Sequence, residues 1–479
     1  MAFIPYTIRS FRGGISDENN RGIAGSCKFS YGLDIHKKAD TLTCKQKMAK
    51  ASGTTVVDLI NFFVAGSDSS TYCFGDGGKI YSRNGAGTYT LMATDANGEI
   101  KGASEWQESG GDAYLVWSTS TSLARKLKAP QGYVDFANYT VNYKTDLTAS
   151  ACHPIGMASG ALMVGNDEKL AMYGFDGSWT NAAMNIRPGH KIKCLEERDD
   201  YAILGSGRGD NSEQGHIWSW ITSATNYVQK KKIPVKGINA LIYAEIMLMQ
   251  GGTDGELFYS DFTNVVPVHS VPGGGQVNPG GIDIEDGIAM FGFYGGTYPG
   301  IWSYGRRAKN RPFVLNYDYR LSPTAVTGST VVEIGAIAEI GGVLLASWKT
   351  TDGSTTEYGV DEVSTTLKAT AVYEGLEFDA GSPHLKKRFR DVHIIMSALT
   401  SGCSVAVKVK LDKASSWTDL KTTEGSTSYS TANGTEAIFL LSGEAKILEV
   451  GITLTPSSNS SPEILSIITF VEKETSEYV

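Results

Sequence analysis

The chain has 479 residues, with 43 Lys plus Arg against 51 Asp plus Glu, a formal net charge of -8 and 41% hydrophobic residues. That apolar share excludes a disordered polymer, and at about 100 to 200 residues per domain the length excludes a single small fold. No stretch approaches the roughly 18 to 20 uncharged apolar residues of a membrane span, since the best run, Ala240 to Met249, is broken by Glu245; the acidic balance gives no general footprint for nucleic acid or an anionic membrane.

The opening Met-Ala-Phe-Ile-Pro-Tyr has no basic region followed by an apolar core of secretory length, so synthesis and retention in a cytoplasm are expected. The six cysteines, Cys27, Cys44, Cys73, Cys152, Cys194 and Cys403, form no C-x-x-C pair and have no partnered His spacing. They read as small buried hydrophobes rather than zinc or redox ligands. Residues 1–50 are Gly-rich, basic toward their end and without a recognisable core, and are taken as an N-terminal arm. Within it, Thr41 to Lys47 is a candidate strand for closing a later sheet.

Residues 51–375 repeat one theme: a short apolar strand, a Gly/Asp/Asn turn, then a second strand carrying an aromatic. With Phe63, Leu115, Met163, Ile203, Leu248, Met290 and Leu345 as anchors, the spacings are 52, 48, 40, 45, 42 and 55 residues, close to the ~40 to 50 residues of a propeller blade. The aromatic partners include Gly78 to Ser82, Gly215 to Ser219, Gly255 to Ser260 and Gly300 to Tyr304, so each pair reads as the second and third strands of a blade. Helical periodicity is nearly absent, and Gly, at 55 of 479 residues, is enriched over the usual ~7% as turn-rich β-structure requires. The fold expectation is all-β, with a six- or seven-bladed β-propeller. The loop Val271 to Gly281 reads as a flexible excursion between blades. From residue 376 to 479 the pattern becomes strict alternation, as in Val405, Val407, Val409 and Leu411, or Leu448, Val450, Ile452 and Leu454; this is the period of half-buried strands and predicts a C-terminal β-sandwich.

Few residues carry recognisable chemistry. Gly156-Met157-Ala158-Ser159-Gly160 lacks the spacing of a nucleophile elbow and reads as a turn. Asp283-Ile284-Glu285-Asp286-Gly287 does not present carboxylates at the alternating positions of a Ca²⁺ loop. Glu196, Glu197, Asp199 and Asp200 read as a solvated turn rather than a glycosidase acid/base pair. Tyr173 to Trp179 has an Asp-Gly turn before Trp, in the manner of a sialidase blade, but Asp-Gly is generic hairpin chemistry. Arg208-Gly209-Asp210 spells an integrin tripeptide of the length that occurs by chance. The basic stretches Arg306 to Arg311 and Lys386 to Arg390 read as solvated edges that discourage aggregation, with phosphate or acidic-partner contact as the alternative. No catalytic residue, cofactor site, cofactor or metal ligand is assigned.

The passages Phe11-Arg12-Gly13-Gly14-Ile15-Ser16, Gly22 to Ser26, Tyr31-Gly32-Leu33-Asp34-Ile35 and Thr41-Leu42-Thr43 resemble the opening of structural tail proteins of tailed bacteriophages. Lys387 to Val392, Leu411-Asp412, Trp417 and Ser461 to Ile467 likewise resemble the sandwich that follows the propeller in such proteins. The resemblance implies a non-enzymatic virion component similar to a tail nozzle or hub, a ring homo-oligomer, often a hexamer, around the DNA exit channel. Its expected partners are itself and other tail proteins on the adaptor, portal or fibre side, with DNA passing without specific binding. Its expected location is the virion tail after synthesis in the host cytoplasm. Two alternatives stand beside it: a glycan-binding receptor-recognition protein using Trp117, Trp179, Trp218, Trp220 or Trp302, and a sialidase-like hydrolase.

Overall fold

The computed structural model describes residues 3–18, 22–38, 40–51, 55–208, 212, 214–323 and 331–473. Its regular structure is β throughout apart from one 3-10 turn, Phe136–Asn138. Among the described residues no helix is long and apolar enough to cross a membrane. Two compact units form, one from Ala49–Ile301 and Leu321–Glu362, the other from Met1–Met48, Trp302–Arg320 and Val363–Val479.

The first unit contains five successive four-stranded antiparallel meanders, in which each strand pairs with the next in sequence. Their innermost strands are Ile60–Ala65, Gly102–Gln107, Ile155–Ala158, His190–Arg198 and Ile238–Ala244. Two further innermost strands, Ile282–Glu285 and Val331–Ile340, follow in chain order. Each of these seven strands neighbours the next, and the last neighbours the first, so the inner strands close a ring. That closed ring is the β-propeller expected of the repeat.

Short polar turns make each meander. Between Glu285 and Ile288, Asp286 (φ 51°) and Gly287 (φ 81°) occupy the left-handed region that a two-residue hairpin of this twist requires. The acidic run from Asp283 to Gly287 is therefore a hairpin end.

The seams between sheets are apolar. Phe74, Leu115 and Trp117 pack between the first and second sheets; Tyr114, Val116, Leu162 and Val164 between the second and third. Met163, Leu204, Trp218 and Trp220 fill the next seam, and Ile203, Ile217, Leu241 and Met249 the one after. The second strands lie wholly inside this packing, as in Ala161–Asn166 and Ile288–Phe293, where every residue is buried. The third strand Gly215–Trp220 is also buried along its whole length, because its sheet is covered on both faces.

Closure occurs where Ile60–Ala65 meets Val331–Ile340. Ile60, Ala336, Leu345 and Val360 share one cluster, and the Ile60 N–H donates to Ser347 Oγ at 2.8 Å. The last sheet takes Gln46–Lys50 as its fourth strand, with the Ala51 N–H donating to the Val360 carbonyl at 2.9 Å. Lys50 reinforces the join, its amine 3.1 Å from Glu357 and 4.9 Å from the Trp348 ring centre. The closing strand thus starts later than the expected Thr41 to Lys47. Leu42–Thr43 pairs instead with Ile464 and Glu463, and the chain changes partners after Cys44.

The second unit holds two sheets. One has the order Phe3–Ile8, Glu463–Lys473, Lys387–Met396, Glu436–Ala445, Lys421–Thr422, with Leu42–Thr43 also on Glu463–Lys473. The other contains Val314–Tyr319, Ser26–Tyr31, Ala371–Gly375, Leu448–Thr455, Ser404–Leu411 and Thr418–Asp419 in that order. Val392, Ile394 and Met396, then Ala437, Phe439 and Leu441, then Val405, Val407 and Val409 are buried at alternate positions, as half-covered sheets require. Residues 1–48 group with these strands rather than standing as a separate arm: Phe11 packs edge-on against Tyr373 with ring centres 5.7 Å apart, and Tyr6 stacks on Phe378 at 3.6 Å. Lys386 to Arg390 was expected at an edge, but Lys387–Met396 lies between two partners; Lys387 is buried with its amine donating to the Asp379 and Ser382 carbonyls.

Gly335 sits at the closure seam, where an added Cβ would lie 2.1 Å from the Ile60 carbonyl oxygen. Gly335→Ala is therefore expected to force the first and last inner strands apart and cost about 1 to 3 kcal/mol. Thermal unfolding checks this; an unchanged Tm would contradict the close approach.

Candidate functional site at the propeller hub

The inner strands all begin at one end of the ring, and several carry a polar residue there. Asn61, Lys101, Lys193, Asn239, Asn278 and Glu333, together with Asp76 and Glu99, line a cavity of about 350 Å³. The polarity is local. Gly335, Leu195 and Ile337 follow along the same strands.

The charges at this mouth are held by partners. Lys349 lies 3.7 Å from Asp76 and 3.9 Å from Glu333, and Lys101 pairs with Glu99. Lys193 donates to Asn239 Oδ1 at 2.6 Å, while Asn239 Nδ2 donates to the Gly252 carbonyl at 2.7 Å and to Gln250 Oε1 at 3.0 Å. Tyr294 OH donates to Asn278 Oδ1 at 2.7 Å, and Asn278 Nδ2 donates to the Ile334 carbonyl at 2.7 Å. Burial raises the Asp76 carboxyl above its usual range, opposed by Lys349. Burial also pushes the Tyr294 phenol up to about 12, with Glu333 adding to the effect. Cys152, half-buried in the lining, has its thiol raised by burial, with Lys193 acting in the opposite sense. A thiol held protonated is a weak nucleophile. The mouth can bind a small polar group, and its hydrogen bonds tie neighbouring inner strands to one another.

The loop Val271 to Gly281, expected to be the most flexible stretch, helps build this mouth. Gln276 and Tyr294 exchange backbone hydrogen bonds in both directions, Gly275 N–H donates to the Thr253 carbonyl, and the Ile337 N–H donates to the Gly280 carbonyl. Its glycines serve close approach rather than mobility. Polar residues at or just before the head of several inner strands, such as Asn61, Lys101 and Asn239, were the sequence signal for the site, but these strands are short and mixed in polarity and escaped the repeat pattern.

Away from the mouth, three inner strands, His190–Arg198, Ile282–Glu285 and Val331–Ile340, carry acidic residues. Glu196 and Glu197, expected in a solvated turn, belong to the strand His190–Arg198, while Asp199 takes the left-handed turn position (φ 53°). Burial pushes the Glu196 carboxyl up to about 7, with Glu197 and Asp283 adding to it. Asp283 is raised by burial and accepts the Glu339 N–H; Glu339 is raised by burial and by Glu285 and Asp286. Among the described residues no group of three or more His, Cys, Asp or Glu is arranged to hold a metal ion.

The remaining sequence candidates are dispersed. Trp117, Trp218, Trp220 and Trp302 are buried. Trp117 donates to Asp95 at 2.8 Å, Trp218 to Ser206 Oγ at 2.8 Å, and Trp302 stacks on Tyr317 at 4.6 Å. Trp179 is half-buried and donates to Asp146 at 2.9 Å. Ser159 forms a turn whose hydroxyl donates to the Asp200 carbonyl. In Tyr173 to Trp179, the Ser178 N–H caps onto Asp176 at 3.0 Å. Gly209 and Asp210 of the Arg-Gly-Asp tripeptide lie outside the described residues. Arg306 rests on the Phe313 ring at 4.6 Å.

No protein-family model matches the chain, and no curated protein matches it. Among solved structures it is similar to the WD40 β-propeller domain of Doa1, with 11% identity, 67% of this chain and 96% of that one covered, and a TM-score of 0.44. A chain of the mitotic checkpoint complex matches at 14% identity over 66% of this chain and 92% of that one, with a TM-score of 0.43. YCF48 bound to D1 peptide matches at 10% identity over 68% and 96%, with a TM-score of 0.45. The propeller assignment rests on the closed ring of inner strands.

Two outcomes follow from the titrating groups. Glu196 has an ordinary value of 4.5 and about 7 when folded, so the stability it contributes is full below about pH 4.5 and is lost as pH rises through 7. Glu196→Gln is expected to match the parent at pH 4.5 and to exceed it by about 1 to 2 kcal/mol at pH 8; equal melting curves at both pH values would contradict a buried carboxyl. Cys152 is expected to react with iodoacetamide at pH 7.5 at least about tenfold more slowly than a free thiol, with the rate climbing above pH 9. Mass spectrometry of the labelled peptide reads this, and rapid labelling at neutral pH would contradict it.

Proposed function

We propose that this chain is a non-enzymatic structural component of a bacteriophage tail, a nozzle- or hub-like subunit that assembles as a cyclic ring around the DNA exit channel. The observation that supports the reading best is where the two resembling passages fold. Leu42–Thr43 pairs with Ile464 and Glu463, and Lys387–Met396 pairs along the same strand, Glu463–Lys473. Ser461 Oγ accepts the Cys44 N–H at 2.8 Å. The N-terminal and C-terminal signatures, more than 300 residues apart, thus build one compact unit, as two parts of a single assembly module would.

The alternatives have less behind them. A glycan platform needs exposed aromatic faces, and four of the five candidate tryptophans are buried in the interior. A hydrolase needs an activated group facing a cleft, whereas the hub mouth offers paired charges and a protonated thiol.

In the proposed assembly the propeller is a rigid body, and neighbouring subunits meet through heterologous contacts that close by rotation. Other tail proteins complete the stack, and DNA passes through the channel without being read. Ile4, Leu440 and Leu465, exposed at 49%, 50% and 41% on the sheet of Phe3–Ile8, are the apolar residues assigned to the ring contact. Mass photometry with negative-stain imaging of the full chain is expected to show rings, alone or with virion partners. Leu440→Arg with Leu465→Arg is expected to abolish them without lowering Tm. A chain that stays monomeric with all partners present would overturn the proposal.

A further inference from the structure

The fourth four-stranded sheet carries an unusual charge arrangement for so acidic a chain. Its outer edge strand, Gln229–Ile233, reads Gln-Lys-Lys-Lys-Ile, with Lys230 and Lys232 exposed. Alternate residues of a strand share a face about 6.8 Å apart, a spacing comparable to that of successive phosphates along a nucleic-acid strand. Register places further groups on that face. Lys232 lies opposite His216, Lys230 opposite Trp218, His216 opposite Ser206, and Arg208 opposite His190. Exposed Arg187 joins them through the turn in which its carbonyl accepts the His190 N–H at 3.2 Å.

Beneath the cations lie two histidines with ring centres 4.7 Å apart. His190 is only 1% exposed, and neither of its ring nitrogens has a hydrogen-bond partner. Burial, then His216, Arg187, Arg208 and Lys230, hold its ring down to about 4; burial, Lys230, Lys232 and Arg187 lower His216 against the opposing Gln214 carbonyl. On the adjoining turns Asp167 is engaged by Lys191 at 3.3 Å, and Glu168 accepts the Gly189 N–H at 3.4 Å. Tyr227, 37% exposed, packs edge-on to Trp218 at 4.9 Å, and Lys230 lies 5.5 Å from the Trp218 ring centre and 6.0 Å from that of Tyr227.

We infer that this edge holds the phosphate backbone of a single nucleic-acid strand without reading its sequence. A row of cations along a strand suits an extended polyanion better than one compact anion, and the open Tyr227 ring beside it offers a stacking face to a base. Bound phosphates would relieve the mutual repulsion of Arg187, Lys230 and Lys232. The inference does not depend on the virion reading.

Fluorescence anisotropy with a labelled oligothymidylate tests it on the full-length chain. Binding is expected at about 50 mM salt, falling steeply as salt rises. Lys230→Ala with Lys232→Ala is expected to weaken binding about tenfold and to reduce the slope of log K against log salt by about 1.4, at ~0.7 per single-strand phosphate contact. Lys230→Arg with Lys232→Arg should restore both, which separates lost charge from lost fold. Arg306→Ala with Arg307→Ala, in a separate basic stretch, should leave both unchanged. Absence of binding by the parent chain, an unaltered slope in the double alanine variant, an equal loss in the Arg306/Arg307 variant, or binding to phosphatidylserine vesicles in place of the oligonucleotide would each overturn the inference.

Discussion

The propeller depends on one junction, the meeting of its first inner strand with its last. An open run of antiparallel meanders would expose two edges and an apolar face at each end. Here Ile60 and Ala336 bury one another, and Gly335 lets the backbones approach to a distance that no side chain allows. The N-terminal segment then lends its strand to the last sheet, so the ring is completed by residues distant in sequence. Loop-closure entropy is the cost of such pairing, and the packed seam offsets it.

Polar groups are used at the hub to tie strands rather than to expose reactive atoms. Asn239, Gln250, Asn278 and Tyr294 each meet partners from a neighbouring segment. Lys349 lies between two carboxylates that would otherwise repel. The acidic end has less compensation, and Glu196 responds by holding its proton to higher pH. The two ends of one hub therefore respond differently to pH, because one contains both signs of charge and the other mainly one.

Much of the fold was legible because the second strands are continuous apolar runs punctuated by Gly and Asp turns. The innermost strands were harder: Gly102–Gln107 and Ile282–Glu285 interleave polar residues such as Glu105 and Asp283 with apolar ones, so neither shows a continuous apolar run. The first anchor, Phe63, belongs to an innermost strand, whereas the matching second strand is Thr71–Gly75; this slip of ten residues explains the wide first spacing. The placement of the N-terminal strands was invisible locally, since Phe11 packs against Tyr373 and Leu42–Thr43 pairs with Ile464 and Glu463, far along the chain. The approach of Glu196 to Asp283 was hidden for the same reason: only ring closure brings their strands to a common axis.

Hydrogen–deuterium exchange resolved by peptide tests the closure most directly. If the ring is closed as described, the amides of Ile60–Ala65, Val331–Ile340 and residues 46–51 exchange together, in the slowest class of the propeller, through shared global opening. Fast exchange of residues 46–51 and Val331–Ile340 while Ile60–Ala65 stays protected would contradict it, and would describe an open stack of sheets instead of a ring.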